Sequence, residues 1–336
     1  MEYYEQAVNA YADAEAYPKA AKTGLEMAEV YKKYFVDKKD EFGSYHQLSK
    51  YYEQAADMMD NYNHEEAADV YEKACYYKQS DNNFTGAGSL YMTVAGRMED
   101  RQMSKKAAVF YQKAAEAFFS GNARVQGAQC LAMKARIMAQ SGDYREAARQ
   151  FKSIVQEGYA SVEDLVLCFK SLLCIFVYAA TRDSYPLVAQ HDAELAEICV
   201  KWSSSYEHRT MQKLMAAYEK GANGVRAFTK VCADFDTVSS LDNWTTQMLV
   251  KIKRVMSGQV STALLDDDSD DDTRKKVLSP VSAAKGADAA NVMDSDEELP
   301  EDDIADFFDF DAAAMSDIKT KQFEKTQSEQ VADKLI

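Results

Sequence analysis

Few residues in this 336-residue chain have the types and spacing for chemistry. The four histidines, His46, His64, His191 and His208, stand apart from one another. None lies in an HExxH pattern or beside a cysteine pair, so neither a zinc-hydrolase helix nor a Cys/His nucleophile is encoded. The six cysteines (Cys75, Cys130, Cys168, Cys174, Cys199, Cys232) form no CxxC. They fall in apolar helical patterns, as reduced, buried thiols of a cytosolic protein do. No GxGxxG or GxxxxGKS/T phosphate loop is present, and Gly86-Ala87-Gly88 lies inside a helical pattern where close packing accounts for it. The expectation is a non-enzyme with no cofactor and no metal. What remains is ionic chemistry. Acid runs recur near the end, and "DDDSDDD" and "DSDEE" place Ser269 and Ser295 where an acid-directed kinase would accept them.

The elements that would position charged side chains are helices. The four prolines sit at 18, 186, 280 and 300, leaving residues 19 to 185 without one. Proline breaks helix interiors, so its absence over that length favours helix throughout. A repeat appears in "EEAADVYEKA", "KKAAVFYQKA" and "YREAARQFKSI". Aligned on Ala67-Ala68, Ala107-Ala108 and Ala147-Ala148, these place Tyr71, Tyr111 and Phe151 forty residues apart. Between them lie second helices, "FTGAGSLYMTVAGRM" and "ARVQGAQCLAMKARIMAQ", with turn signals in "YNH", "SDNN", "SGNA" and "SGD". Each unit is therefore helix, turn, helix. A single pair cannot bury its apolar face, so the pairs must stack into a solenoid. The alanine and aromatic stripes are its core.

From residue 159 the repeat fades but helical patterning continues, near 162–180, 187–202, 206–220, 223–233 and 239–257. The most apolar window, "LVLCFKSLLCIFVYAA", carries Lys170 and Ser171 and reads as a buried helix too short to span a bilayer. In the last helix Leu241, Trp244, Met248, Leu249, Ile252, Val255 and Met256 share helical spacing. Ser239 and Asp242 are its expected caps, Lys251, Lys253 and Arg254 suit its negative end, and Gly258 its stop. The expected organisation is all-α: TPR-like helical repeats over 1–158, a C-terminal helical bundle over 159–258, and an acidic, largely disordered tail over 259–336 with a short terminal helix.

The net charge of −16 divides unevenly: −9 over residues 1–100, +6 over 101–260 and −13 over 261–336. Such asymmetry points to charged partners of opposite sign at the two ends. No Lys/Arg run reaches the density of a nucleic-acid motif, so nucleic acid is not an expected partner.

"DFDTVSSLDNWTTQMLVKIKRVMSG" resembles the closing helices of the soluble NSF attachment protein family, the alpha/beta type in particular. The residues that carry the likeness are Asp236, Val238, Ser239, Leu241, Asp242, Trp244, Lys251, Lys253, Arg254 and Gly258, and it extends back through the forty-residue units to about residue 5. The resemblance implies a TPR-like solenoid of helix pairs with a C-terminal bundle. It also implies a cytoplasmic adaptor, several copies of which wrap an assembled SNARE bundle and recruit the AAA+ ATPase NSF in vesicle trafficking. The family carries a further helix and a membrane-touching Phe/Gly-rich loop ahead of the stretch matching "MEYYEQAV", so either the sequence is truncated there or membrane attachment is weak; the resemblance implies peripheral attachment to vesicle, Golgi or endosomal membranes. The alternative is another helical-repeat trafficking scaffold that does not bind NSF.

Carried over position by position, the resemblance makes Lys106 a SNARE-facing residue, reinforced by Arg101 and Lys105. One repeat on, the family's lysine is Glu146 here, flanked by Arg145 and Arg149, which take its place. An apolar contact set becomes Tyr159, Val162 and Leu165, and Arg209 lies near another basic family position. On the ATPase side the resemblance retains Glu219, beside Ala216 and Lys220. It also points to Leu264 and Leu265, which precede Asp266, Asp267 and Asp268.

Overall fold

The computed structural model describes residues 1–38, 44–159, 164–182 and 184–258. Every regular element among them is helical. Eight helices form the repeat array: α1 (Glu2–Asp13), α2 (Tyr17–Tyr31), α3 (Tyr45–Asp60), α4 (His64–Ser80), α5 (Phe84–Asp100), α6 (Ser104–Ser120), α7 (Arg124–Gln140) and α8 (Tyr144–Gln156). Five follow: α9 (Asp164–Arg182), α10 (Pro186–Ile198), α11 (Tyr206–Tyr218), α12 (Val225–Val238) and α13 (Asn243–Met256). One turn of π-helix, Lys32–Val36, extends α2, and 3-10 turns at Trp202–Ser204 and Gly221–Gly224 join the later helices.

The connectors explain the even pitch. Asn82, Gln102, Asn122 and Gly142 all have positive φ and stand twenty residues apart. Around each, the next residue's N–H reaches back to the preceding helix: Asn83 to Lys78 O, Met103 to Met98 O, Ala123 to Phe118 O and Asp143 to Met138 O. This six-to-one bond is the Schellman geometry, which stops a helix and reverses the chain in the fewest residues. Sequential helices therefore pack as antiparallel neighbours from α3 to α8.

Between helices the alanine and aromatic stripes interlock as their spacing predicts. Ala67, Ala107, Ala147 and Ala148 are fully buried, with Tyr71, Tyr111 and Phe151 close behind. Gly88 is required by contact: a Cβ there would fall 2.9 Å from the Phe118 ring. One apolar cluster runs from Ala21 to Ile137 and a second from Ala128 to Met256, so α7 contributes to both.

Polar staples tie successive pairs. Tyr71 Oη donates to Asp57 at 2.5 Å, and Arg97 donates to Asp57, Asp60 and the Tyr71 hydroxyl. One repeat on, Tyr111 donates to Glu99 at 3.2 Å and Arg136 to the same carboxylate at 2.5 Å. Arginine suits this use because its planar fork engages carboxylate and phenol together.

In the C-terminal part α9 is the hub, packed by α8, α10, α11 and α13. It spans 19 residues and is long and apolar enough to cross a membrane by length and composition, but 72% of its apolar window is buried in protein. The expected core helix is thus present, and burial rather than shortness is the reason. Trp244 of α13 is buried, edge-on to Phe151 at 5.9 Å, under the Lys170 ammonium. The cap of α13 is Asp242 alone, whose Oδ1 accepts from Thr245 N at 2.7 Å. Ser239 instead ends α12, because the chain runs extended from Ser239 before α13 starts. Lys253 and Arg254 lie in the last turn of α13, and Gly258 adopts φ +66.

Candidate partner-binding face

The helices that open the forty-residue units, α4, α6 and α8, carry exposed charged side chains. Ion pairs run between these helices at repeat spacing. Glu65 of α4 accepts from Lys106 of α6 at 2.8 Å, and Glu72 accepts from Lys113. Lys152 of α8 donates to Glu194 of α10 at 2.6 Å. Glu65 and Lys106 lie forty-one residues apart, as do Glu72 and Lys113, one repeat plus one residue. Neither Lys113 nor Lys152 is among the contacts expected from sequence. The forty-residue register read from the alanines, applied to charged positions as well, finds Lys113.

The structure places the expected cations in three situations. Lys105 and Arg145 are exposed at the starts of α6 and α8, equivalent positions forty residues apart. Arg145 lays its guanidinium over the Tyr178 ring at 5.6 Å. Lys106 and Arg149 are exposed but paired, Lys106 with Glu65 and Arg149 with Glu146. Exposed pairs of this kind contribute at most about 1 kcal/mol each, so a multiply charged partner can displace them. Arg101 has a different role. Its two terminal nitrogens hold Asp60 at 2.6 and 3.1 Å, clamping the end of α5 to the end of α3. His64 also reaches Asp60, at 3.1 Å.

Tyr159 is half-buried against Phe119, ring centroids 4.7 Å apart, and Leu165 packs on the second core cluster. Arg209 is exposed on α11, its Nε bonded to Ser205 O at 3.2 Å. Glu219 is exposed just past the end of α11. Val162, Leu264, Leu265, Asp266, Asp267, Asp268, Ser269 and Ser295 lie outside the described residues.

Arg145, Arg149 and Lys152 border an open cleft of about 200 Å³ between α8, α9 and α10, lined also by Ile175, Leu187, Gln190, His191 and Glu194. Ser171 donates to Ala148 O at 2.8 Å, so His191 Nε2 must donate to Ser171 Oγ, also at 2.8 Å. Burial, together with the Lys152 charge, pushes the His191 imidazole down to about 4 and keeps it neutral. Arg145, Arg149 and Lys152 thus form a basic wall of this cleft, and Lys105 and Lys106 stand at the start of α6.

Among the described residues no group of three or more His, Cys, Asp or Glu converges as metal ligands do. The six thiols are buried, and burial pushes Cys130 and Cys232 up to about 12, far from reactive thiolates. Among the described residues the geometry is that of a helical-repeat array with basic side chains exposed at repeat spacing.

Comparison with known proteins gives the family. The model of the soluble NSF attachment proteins matches residues 1–257, and the chain belongs to that family. An alpha-soluble NSF attachment protein of Vitis vinifera is 23% identical over 261 residues, covering 77% of this chain and 86% of its own. The beta-soluble NSF attachment protein of Bos taurus is 27% identical over 188 residues, 52% of this chain and 58% of its own. A probable vesicular-fusion protein sec17 homolog of Schizosaccharomyces pombe is 27% identical over 197 residues, 56% of this chain and 65% of its own. The chain thus spans less than two thirds of the bovine and fission-yeast relatives.

Proposed function

We propose that this chain is a non-catalytic adaptor that grips assembled SNARE bundles and delivers them to an NSF-type AAA+ ATPase. The observation that carries the reading is the family match over 257 residues, on a fold that sets basic side chains at repeat spacing along one face. An acidic helical bundle meets Lys105, Lys106, Arg145 and Arg149 there, with Arg209 further along and Tyr159 as an apolar edge. Complementary charge of this kind steers encounter and fixes register. Several copies then line one bundle. Arg101 supports the face by holding α5 to α3 through Asp60. At the other end Glu219 and the segment Leu264, Leu265, Asp266, Asp267 and Asp268 engage the ATPase, and phosphorylation of Ser269 or Ser295 adds charge to that engagement. The site of action is the cytoplasmic surface of vesicle, Golgi or endosomal membranes.

The test is capture of a preassembled SNARE bundle by the full chain and by Lys105→Glu/Lys106→Glu. The double reversal should weaken capture about tenfold or more, by close juxtaposition of like charge, with an unchanged urea midpoint. Undiminished capture would remove this face from the reading.

A further inference from the structure

The cleft between α8, α9 and α10 has two walls of different chemistry. On α8, Arg145, Arg149 and Lys152 follow at spacings of four and three residues and so share one stripe of the helix. Along the axis the first two lie about 6 Å apart, and the first and last about 10 Å. On α10, Gln190, His191 and Glu194 line the same cleft, with Ile175 and Leu187 as its apolar floor. Lys152 Nζ ties the walls together by donating to Glu194 Oε2 at 2.6 Å. Arg145 is exposed, steadied by the Tyr178 ring, and Arg149 is exposed beside Glu146.

The α10 wall accepts hydrogen bonds and has none left to give. His191 is only 7% exposed, and its Nε2–H goes to Ser171, whose own hydrogen goes to Ala148 O. His191 Nδ1 is therefore a bare acceptor, and it faces another acceptor, Glu194 Oε2, at 3.7 Å. Gln190 turns its amide N–H to Glu194 Oε1 at 3.1 Å and keeps a carbonyl oxygen. The hydrogen bond from Lys152 holds the Glu194 carboxyl below the usual carboxylate range, so it is ionised. The alignment Ser171–His191–Glu194 is not that of a nucleophile, because Ser171 is fully buried and its proton points away from the imidazole. An occupant must bring anions to one wall and hydrogen-bond donors to the other. One carboxylate cannot reach cations spread over about 10 Å, and an acidic peptide would set its carboxylates against Glu194 and His191 Nδ1. A ring with several phosphates covers the span, and its hydroxyls supply the donors. Arginine's planar fork suits phosphate oxygens, and an apolar floor with a few placed polar groups is the usual build of a small-ligand cleft.

We infer that this cleft binds a small phosphorylated polyol, a sugar or cyclitol ring bearing more than one phosphate. Arg145, Arg149 and Lys152 hold the phosphates, and His191 Nδ1 and Glu194 accept from ring hydroxyls. The inference goes beyond the adaptor reading and does not need it. Where both hold, the bound ligand takes Arg145 and Arg149 away from a SNARE bundle.

The experiment is calorimetric titration of the full chain with an inositol trisphosphate at fixed ionic strength, beside tripolyphosphate and unphosphorylated inositol. One trisphosphate should bind per chain, at least tenfold more tightly than tripolyphosphate, and inositol should not bind. Arg145→Ala/Arg149→Ala should weaken binding at least tenfold at an unchanged urea midpoint. Gln190→Trp fills the cleft without changing its charge and should weaken binding as much. A readout on the parent chain needs no folded variant. Its His191 ring proton signal, assigned by its loss in His191→Gln, should shift when the trisphosphate is added, while that of His46 on α3 stays in place. The inference is overturned if tripolyphosphate binds as tightly as the trisphosphate, which would leave a nonspecific basic patch. It is also overturned if both variants bind as well as the parent, or if the His191 signal does not move. A short-chain phosphatidylinositol bisphosphate carries a similar ring, and binding of it without binding of the soluble trisphosphate would overturn the soluble ligand in favour of a lipid headgroup. The titration contains no SNARE, so a failure of bundle capture contradicts the adaptor reading alone.

Discussion

Trp202 and Trp244 are both buried, yet their indole N–H groups are used differently. Trp202 Nε1 donates to Asp192 at 2.7 Å, and Asp192 also faces His208 Nε2 at 3.0 Å. Trp244 Nε1 has no partner among the described residues. Trp202→Phe should therefore cost about 2–3 kcal/mol, since it removes a bond to a carboxylate. Trp244→Phe breaks no hydrogen bond and loses only part of a buried ring, so it should cost less than Trp202→Phe, about 1–2 kcal/mol. Urea midpoints of the two variants check the contrast. The spacing in the sequence marks Trp244 as core, but nothing in "KWSSSYEH" announces that Trp202 pairs with an aspartate ten residues earlier. His191 adds a pH dependence. Its folded pKa of about 4 lies below the ordinary 6.5, because burial and Lys152 disfavour the charged ring, while Glu194 and Asp192 only partly oppose them. Between those values the unfolded chain binds the proton and the folded chain does not. Stability should therefore fall as pH drops from about 6.5 toward 4, by up to about 3 kcal/mol. His191→Gln should flatten that dependence, as read from urea titrations at about pH 7 and about pH 5.

At the scale of the element, the four left-handed residues at the connectors carry the periodicity. Gly142 has φ +91 and nothing within 4 Å of an added Cβ, so Gly142→Ala isolates the backbone cost. The expected loss is about 1–2 kcal/mol, measured by urea unfolding. Gly88→Ala should lose stability for a different reason, because its Cβ meets the Phe118 ring. The turns at "SDNN", "SGNA" and "SGD" were legible because asparagine and glycine tolerate positive φ. The turn at Gln102 was not, since glutamine has no such preference and only its place twenty residues after Asn82 betrays it. The cap of α13 shows a similar limit. Ser239 and Asp242 both have capping side chains, and only the extended path after α12 decides for Asp242.

For the whole molecule, a charged face arises from repetition. Alanines set the helix spacing, connectors set the direction, and charges at fixed register then align on alternate helices. The fold was legible because its cause is periodic and local. The candidate site was legible in its residue types but not in their pairing. Lys106 faces Glu65 and Arg101 faces Asp60, each forty-one residues away, and no local rule relates them. Hence Arg101, read from sequence as a contact, also holds Asp60, and Lys152 emerges only once the helices are stacked, whereas the forty-residue register reaches Lys113. The most direct test is disassembly of a preformed SNARE bundle by an NSF-type ATPase with ATP. The full chain should drive it. Lys105→Glu/Lys106→Glu should fail at capture, and Leu264→Ala/Leu265→Ala should capture normally but fail to release. A full chain that captures the bundle yet never supports its ATP-dependent release would contradict the adaptor account.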